Sequence, residues 1–221
     1  MTHEAPSKQH RNRTPLAWLV AALAAAQLTS ACAPLIVGGA MVGGTMVAID
    51  RRTTGTQIED QTIESKASSR IRELVGDRSH VNITSYNRTV LLTGEAATEA
   101  DRTAIEQAVQ RVENVRSTVN ELAVMLPSSL STRSNDSYLT TKVKATYVDA
   151  KDLQANAFKV LTERGNVYLM GRVTEREATR ATDLARTVSG VQKVVRVFEI
   201  VSETELAEAQ TKSDPASAPK K

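Results

Sequence analysis

Between Asn166 and Ile200 the spacing of apolar residues changes twice. Val167 and Leu169 alternate with Tyr168 and Met170 at period two, which predicts a strand ending at Gly171. After a polar turn, Ala178, Ala181, Leu184, Ala185 and Val188 recur at helical spacing, and Gly190 supplies a stop. Val194 to Ile200 is rich in β-branched and aromatic residues, as a closing strand should be.

The same pattern occurs earlier, from Thr89 to Val124. Gly94 stands for Gly171, Thr98-Glu99 for Thr174-Glu175, and Ile105, Ala108, Val109 and Val112 for Ala181, Leu184, Ala185 and Val188. The offset is 171 − 94 = 77 at the Gly and 181 − 105 = 76 in the helix, so one residue is gained or lost in the turn. This is a tandem repeat of about 65–70 residues, enough for a small core in each copy.

Each copy opens with a further helix. In the first, over Gln57 to Val75, Ile63, Ala67, Ile71 and Leu74 form the apolar stripe, while Thr62, Ser65, Lys66, Ser69 and Arg72 face out. Val81 to Ser85, a turn at Tyr86-Asn87-Arg88 and Thr89 to Gly94 predict a hairpin. A helix from Thr98 to Val112 and a strand from Val115 to Val124 follow. In the second copy the opening helix runs from Tyr138 to about Val148, capped by Asp136 or Ser137. Its first strand is Ala157 to Leu161, with a turn at Glu163 to Asn166. The expected fold class is α+β: two tandem domains of α-β-β-α-β order, each with helices on a three-stranded mixed sheet.

The expected boundaries are an export signal over 1–31, an apolar tether over 32–56, domains at 57–126 and 136–203, a Ser-rich linker at 127–135 and a disordered tail at 204–221. Leu16 to Ala26 is too short an apolar run to span a bilayer, and it leads into Leu28-Thr29-Ser30-Ala31-Cys32. That ending resembles a bacterial lipobox, with Thr29 where Leu is usual. The resemblance implies that Cys32, the only Cys, is acylated and anchors the chain, and Ala33 after it implies the outer membrane. Gly38 to Thr45 lacks the Lys of a phosphate loop.

Composition narrows the function. Residues 1–31 carry +2 of the formal +3, leaving +1 for the remainder, so the pI near 9.1 is no argument for nucleic acid. Residues 58–124 hold 8 basic and 11 acidic side chains, and residues 136–203 hold 11 and 9, which makes the second copy the better match to an anionic partner. Beyond the leader the only His is His80, and no paired metal ligands, catalytic triad or dinucleotide fingerprint stands out. Thr174 to Glu177 reads as a helix cap. The expectation is no enzyme, no metal and no cofactor.

The contrast between the two opening helices is informative. Tyr138, Thr141, Lys142, Ala145 and Val148 take the places of Thr62, Ser65, Lys66, Ser69 and Arg72 at offset 76. An aromatic ring, an Ala and a Val beside Lys142 and Lys144 suit an anionic headgroup layer. Packing of Tyr138 and Val148 against the other copy or the linker is an equal alternative from the pattern alone.

The domain order, with a Gly closing the second strand of each copy, resembles the BON domain family. The strings RRTTGTQIED (51–60), NDSYLTTKVKA (135–145), GNVYLMGRVTEREA (165–178) and VSGVQKV (188–194) look like dual-BON outer-membrane lipoproteins. The resemblance covers Cys32 to about Val201. It implies a lipid-anchored protein on the periplasmic face of the outer membrane that binds anionic phospholipid such as phosphatidylglycerol. It further implies support of envelope integrity and action at the division site. The family's lipid-binding helix maps onto Tyr138, Thr141, Lys144, Ala145 and Val148, with Tyr138 where relatives commonly carry Trp. The alternative is a periplasmic adaptor that recruits envelope-assembly proteins or serves in stress response without specific lipid binding.

Overall fold

The computed structural model describes residues 50–213. The signal, Cys32 and most of the tether lie outside those residues, as do 214–221. In the first repeat the elements are α1 (Thr54–Val75), β1 (His80–Tyr86), β2 (Thr89–Ala96), α2 (Glu99–Gln110), β3 (Ser117–Asn120) and β4 (Ala123–Val124). The second has α3 (Leu130–Asp149), β5 (Lys159–Glu163), β6 (Asn166–Val173), α4 (Glu175–Thr187) and β7 (Lys193–Ile200), followed by α5 (Glu203–Ser213). The α-β-β-α-β order and the mixed sheets are as expected. In each repeat the central strand pairs antiparallel with its hairpin partner and parallel with the closing strand.

Two devices set the hairpins. Each turn has two residues with positive φ, Asn87 and Arg88 in one repeat and Arg164 and Gly165 in the other, the backbone that matches strand twist. Each turn is also held by a buried Asp from the opening helix. Asp60 accepts from the N–H groups of Asn87 and Arg88, both at 2.8 Å. Asp136 accepts from those of Arg164 and Gly165, again at 2.8 Å. Asp136 is therefore not an N-cap; it lies inside α3, whose cap is Ser129.

The central strands run past the repeated Gly instead of ending there. A Cβ on Gly94 would lie 2.2 Å from the His80 carbonyl oxygen, and one on Gly171 would lie 2.4 Å from that of Ala157. The absence of a side chain lets the neighbouring backbone come that close.

Other boundaries move. α1 begins three residues early, at Thr54, and α2 stops at Gln110. The strand expected over Val115 to Val124 breaks at Glu121-Leu122 into β3 and β4, because Leu122 is turned into the core. Asn120 accepts from the Leu122 N–H across that break. In α1, Leu74, expected in the apolar stripe, is 45% exposed, and Val75 is buried beside it. β5 starts at Lys159, after a 3₁₀ turn over Ala155–Ala157. The Ser-rich stretch is mostly helix, since Leu130 to Asn135 form the first turns of α3. The tail is helical as far as Ser213, with Leu206 buried.

The cores explain how the repeats meet. Val90 and Leu92 of β2 face the helices with Ile63, Ala67, Ile105 and Val109. Val167 and Leu169 of β6 do the same with Val143, Tyr147, Ala178 and Ala181. The alternate residues Leu91, Tyr168 and Met170 join Tyr86 in a third cluster, flanked by Val119, Leu161, Val195 and Val197. The two sheets therefore pack face to face, with helices on the outside, and both central strands are apolar on both faces.

Candidate functional site

The face of interest is the outside of α3. Leu139, Val143 and Tyr147 fix its rotation by filling the second core. Tyr147 meets Phe158 edge-on at 5.3 Å between ring centroids, and its hydroxyl donates to the Ala181 carbonyl at 2.8 Å. Burial pushes the Tyr147 phenol well above its usual value, so it stays a neutral donor. Thr140 bonds Thr162 at 2.8 Å on one flank. Helix, sheet and α4 thus hold the opposite face outward.

On that outward face Tyr138 is 62% exposed and Val148 73%, with Thr141, Lys144 and Ala145 also exposed. Packing of Tyr138 and Val148 against the first repeat does not occur. Lys142 is half-buried: its ammonium donates to the Ser189 carbonyl at 2.9 Å and lies 5.5 Å from the Tyr138 ring centroid. It braces the ring as well as supplying charge. The hydroxyls of Ser137 and Thr141 bond back to the carbonyls of Arg133 and Ser137, each at 3.0 Å. The surface is accordingly more apolar than its residue letters suggest.

Sequence reasoning missed one end of this face. Leu130, 79% exposed, lies two turns before Tyr138 on the same side, and Leu126, 82% exposed, precedes it in the chain. The signal was present in Ser129 as an N-cap, but the Ser-rich composition read as linker. On α1 the five matched positions are exposed and polar, although Ile58, one turn earlier, is 60% exposed. No helix among the described residues is long and apolar enough to cross a membrane.

Thr174 and Glu177 form the capping box of α4: Glu177 accepts from the Thr174 N–H at 3.0 Å and donates its own N–H to Thr174 Oγ1 at 3.3 Å. A separate polar group stands where the repeats meet, built from His80, Glu95 and Glu163 with Asn82 and Arg164 beside them.

The BON domain model matches residues 59–125 and again 135–202. Outer membrane lipoprotein DolP of Haemophilus influenzae is 38% identical over 189 residues, covering 84% of this chain and 97% of that protein. The chain belongs to the DolP family of dual-BON outer-membrane lipoproteins. A second relative, the 21 kDa hemolysin of Actinobacillus pleuropneumoniae, is 30% identical over 155 residues, 69% of this chain and 80% of that one. Among solved structures, CdsD, a structural protein of the type III secretion system of Chlamydia trachomatis, covers 66% of this chain and 98% of its own at 10% identity and a TM-score of 0.27. A likeness that distant carries no argument. DolP membership accounts for the two-domain order.

Proposed function

We infer that the second BON domain binds anionic phospholipid, such as phosphatidylglycerol, through the outer face of α3 at the periplasmic face of the outer membrane. Acylated Cys32 supplies the permanent anchor, and α3 supplies a second, headgroup-sensitive contact. The observation that carries the reading is the exposure of Tyr138 and Val148 on a helix face flanked by Lys142 and Lys144. A phenol ring at the headgroup boundary keeps its hydroxyl in water, and an exposed Val adds apolar area that water does not favour. Each Lys near an anionic surface adds about 1 kcal/mol. Support of outer-membrane integrity and action at the division site would follow from that contact.

The test is co-sedimentation of a chain lacking residues 1–32 with vesicles. Binding is expected with phosphatidylglycerol and not with phosphatidylcholine alone, and it should be lost in Tyr138→Glu and Val148→Glu. Retained binding in both variants removes α3 from the reading. A stoichiometric envelope protein captured by cross-linking, with no vesicle binding, favours the adaptor alternative and an interface with envelope-assembly proteins.

A further inference from the structure

His80 opens β1 and Glu95 lies opposite it in β2, while Glu163 closes β5 in the other repeat. Eighty-three residues separate the outer two (163 − 80), yet one ligand atom from each of the three side chains falls within 4.8 Å of the others. His80 Nδ1 and Glu95 Oε2 are 3.3 Å apart. Two ligands on a tetrahedral ion with bonds near 2.1 Å stand about 3.4 Å apart. The hydrogen-bonded His80–Glu95 pair thus has a spacing that one ion could bridge, and Glu163 brings a third ligand atom within 4.8 Å of both.

The surroundings are those of an outer shell. Arg164 Nη1 donates to Glu95 Oε1 at 3.0 Å, the Ser128 N–H donates to Glu95 Oε2 at 3.1 Å, and Asn82 Nδ2 donates to Glu163 Oε2 at 2.7 Å. Such bonds orient coordinating carboxylates. Glu95 is fully buried against Arg164, and Glu163, 4% exposed, takes its hydrogen bond from the neutral Asn82 amide. A cleft of about 390 Å³, lined by His80, Asn82, Arg133, Asp136, Thr140 and Glu163, opens onto the group and supplies an entry path with room for a fourth, water ligand.

We propose that His80, Glu95 and Glu163 form a divalent transition-metal site, of the zinc type, that joins the two BON repeats. One imidazole with two carboxylates favours such an ion over magnesium or calcium, which take oxygen ligands alone. Because the first repeat gives two ligands and the second gives one, the ion clips the repeats together.

The experiment titrates zinc chloride into the full, chelator-treated chain carrying Cys32→Ser, so that the thiol does not compete, with calorimetry and thermal melting as readouts. The expected result is one zinc per chain and a melting temperature that rises with zinc concentration. Both effects should be lost in His80→Ala, which leaves His3 and His10 intact, and binding should weaken at least tenfold in Glu163→Gln. Calcium and magnesium should give no comparable effect. Absence of zinc binding overturns the proposal, as does unchanged binding in His80→Ala, or equal binding of calcium. If Glu163→Gln does not fold, His80→Ala decides alone, since His80 is partly exposed at the first position of its strand.

Discussion

Arg51 and Glu177 form a two-pronged ion pair between the segment that precedes the first repeat and the first turn of α4 in the second. Nη2 lies 2.7 Å from Oε1 and Nη1 2.8 Å from Oε2, and the two side chains are only 4% and 7% exposed. Arg51 also donates to the Arg172 carbonyl and to Gln154, while its neighbour Arg52 pairs with Asp50 and Asp60 in the first repeat. Two adjacent arginines thus fasten the arriving chain to both repeats.

Arg51→Ala should be among the more damaging single changes outside the cores. It strands the Glu177 carboxylate in a buried position, at a cost of about 3 kcal/mol. Urea unfolding should show a lower midpoint with an unchanged slope. In a double-mutant cycle, Glu177→Gln should recover part of the loss, because the uncompensated charge is then gone.

The same pair predicts a pH dependence. Burial alone raises the Glu177 carboxyl, but Arg51 and the Thr174 N–H bring it below its ordinary value of 4.5. Asp60 behaves alike, lowered by Ser85, the hairpin N–H groups and Arg52 in spite of burial. A carboxylate depressed in the folded state stabilises fully above its unfolded pKa and loses that contribution as pH falls through the folded value. Stability should therefore drop below about pH 4.5, and more gently in Glu177→Gln. Glu163 has the opposite sign, because burial raises it, so its contribution fades as pH rises.

Asp136→Ala should cost about 2–3 kcal/mol, since it removes two charge-assisted bonds to the Arg164-Gly165 turn and leaves both N–H groups without that partner. Amide exchange at Arg164 and Gly165 should rise in the variant while that at Asn87 and Arg88, held by Asp60, stays slow. An unchanged exchange rate at the second turn would show that the turn residues alone set the hairpin.

Much of this architecture was legible. Helical spacing in Ile63, Ala67 and Ile71, and in Leu139, Val143 and Tyr147, named the buried faces, because a helix with one apolar stripe has one way to pack. The two-sided burial of the sheets was written in Val90-Leu91-Leu92 and Val167-Tyr168-Leu169-Met170, but alternation within an apolar run does not say what covers the second face. The first turns of α3 were hidden because Ser and Thr favour caps and turns, whereas tertiary anchoring by Leu139 and Asp136 extends the helix back to Ser129. His80, Glu95 and Glu163 gave no spacing signal, since the packing of one repeat on the other brings them together.

Gly94→Ala tests why the central strands carry that residue. The added methyl would sit 2.2 Å from the His80 carbonyl oxygen at a φ of +104°, so the β1–β2 register would have to open there. We expect a loss of about 2–3 kcal/mol by thermal unfolding. Gly171→Ala meets the Ala157 carbonyl at 2.4 Å and should be comparable, although its φ is unremarkable. A milder effect at Gly171 would separate the backbone-conformation cost from the contact.

Leu130 gives the last prediction. It continues the Tyr138–Val148 face toward the start of α3 and makes few contacts with the core, being 79% exposed. Replacing it with Glu should leave the unfolding midpoint nearly unchanged, as surface substitutions typically shift stability by less than about 0.5 kcal/mol. If α3 lies along an anionic membrane, the same substitution removes apolar contact and adds repulsion. Vesicle affinity should then fall several-fold. Leu74→Glu on α1 should have no such effect, because that partly exposed Leu lies on the first repeat's opening helix, away from the Tyr138 face. Equal losses from both variants would point to general charge repulsion instead of a docked α3.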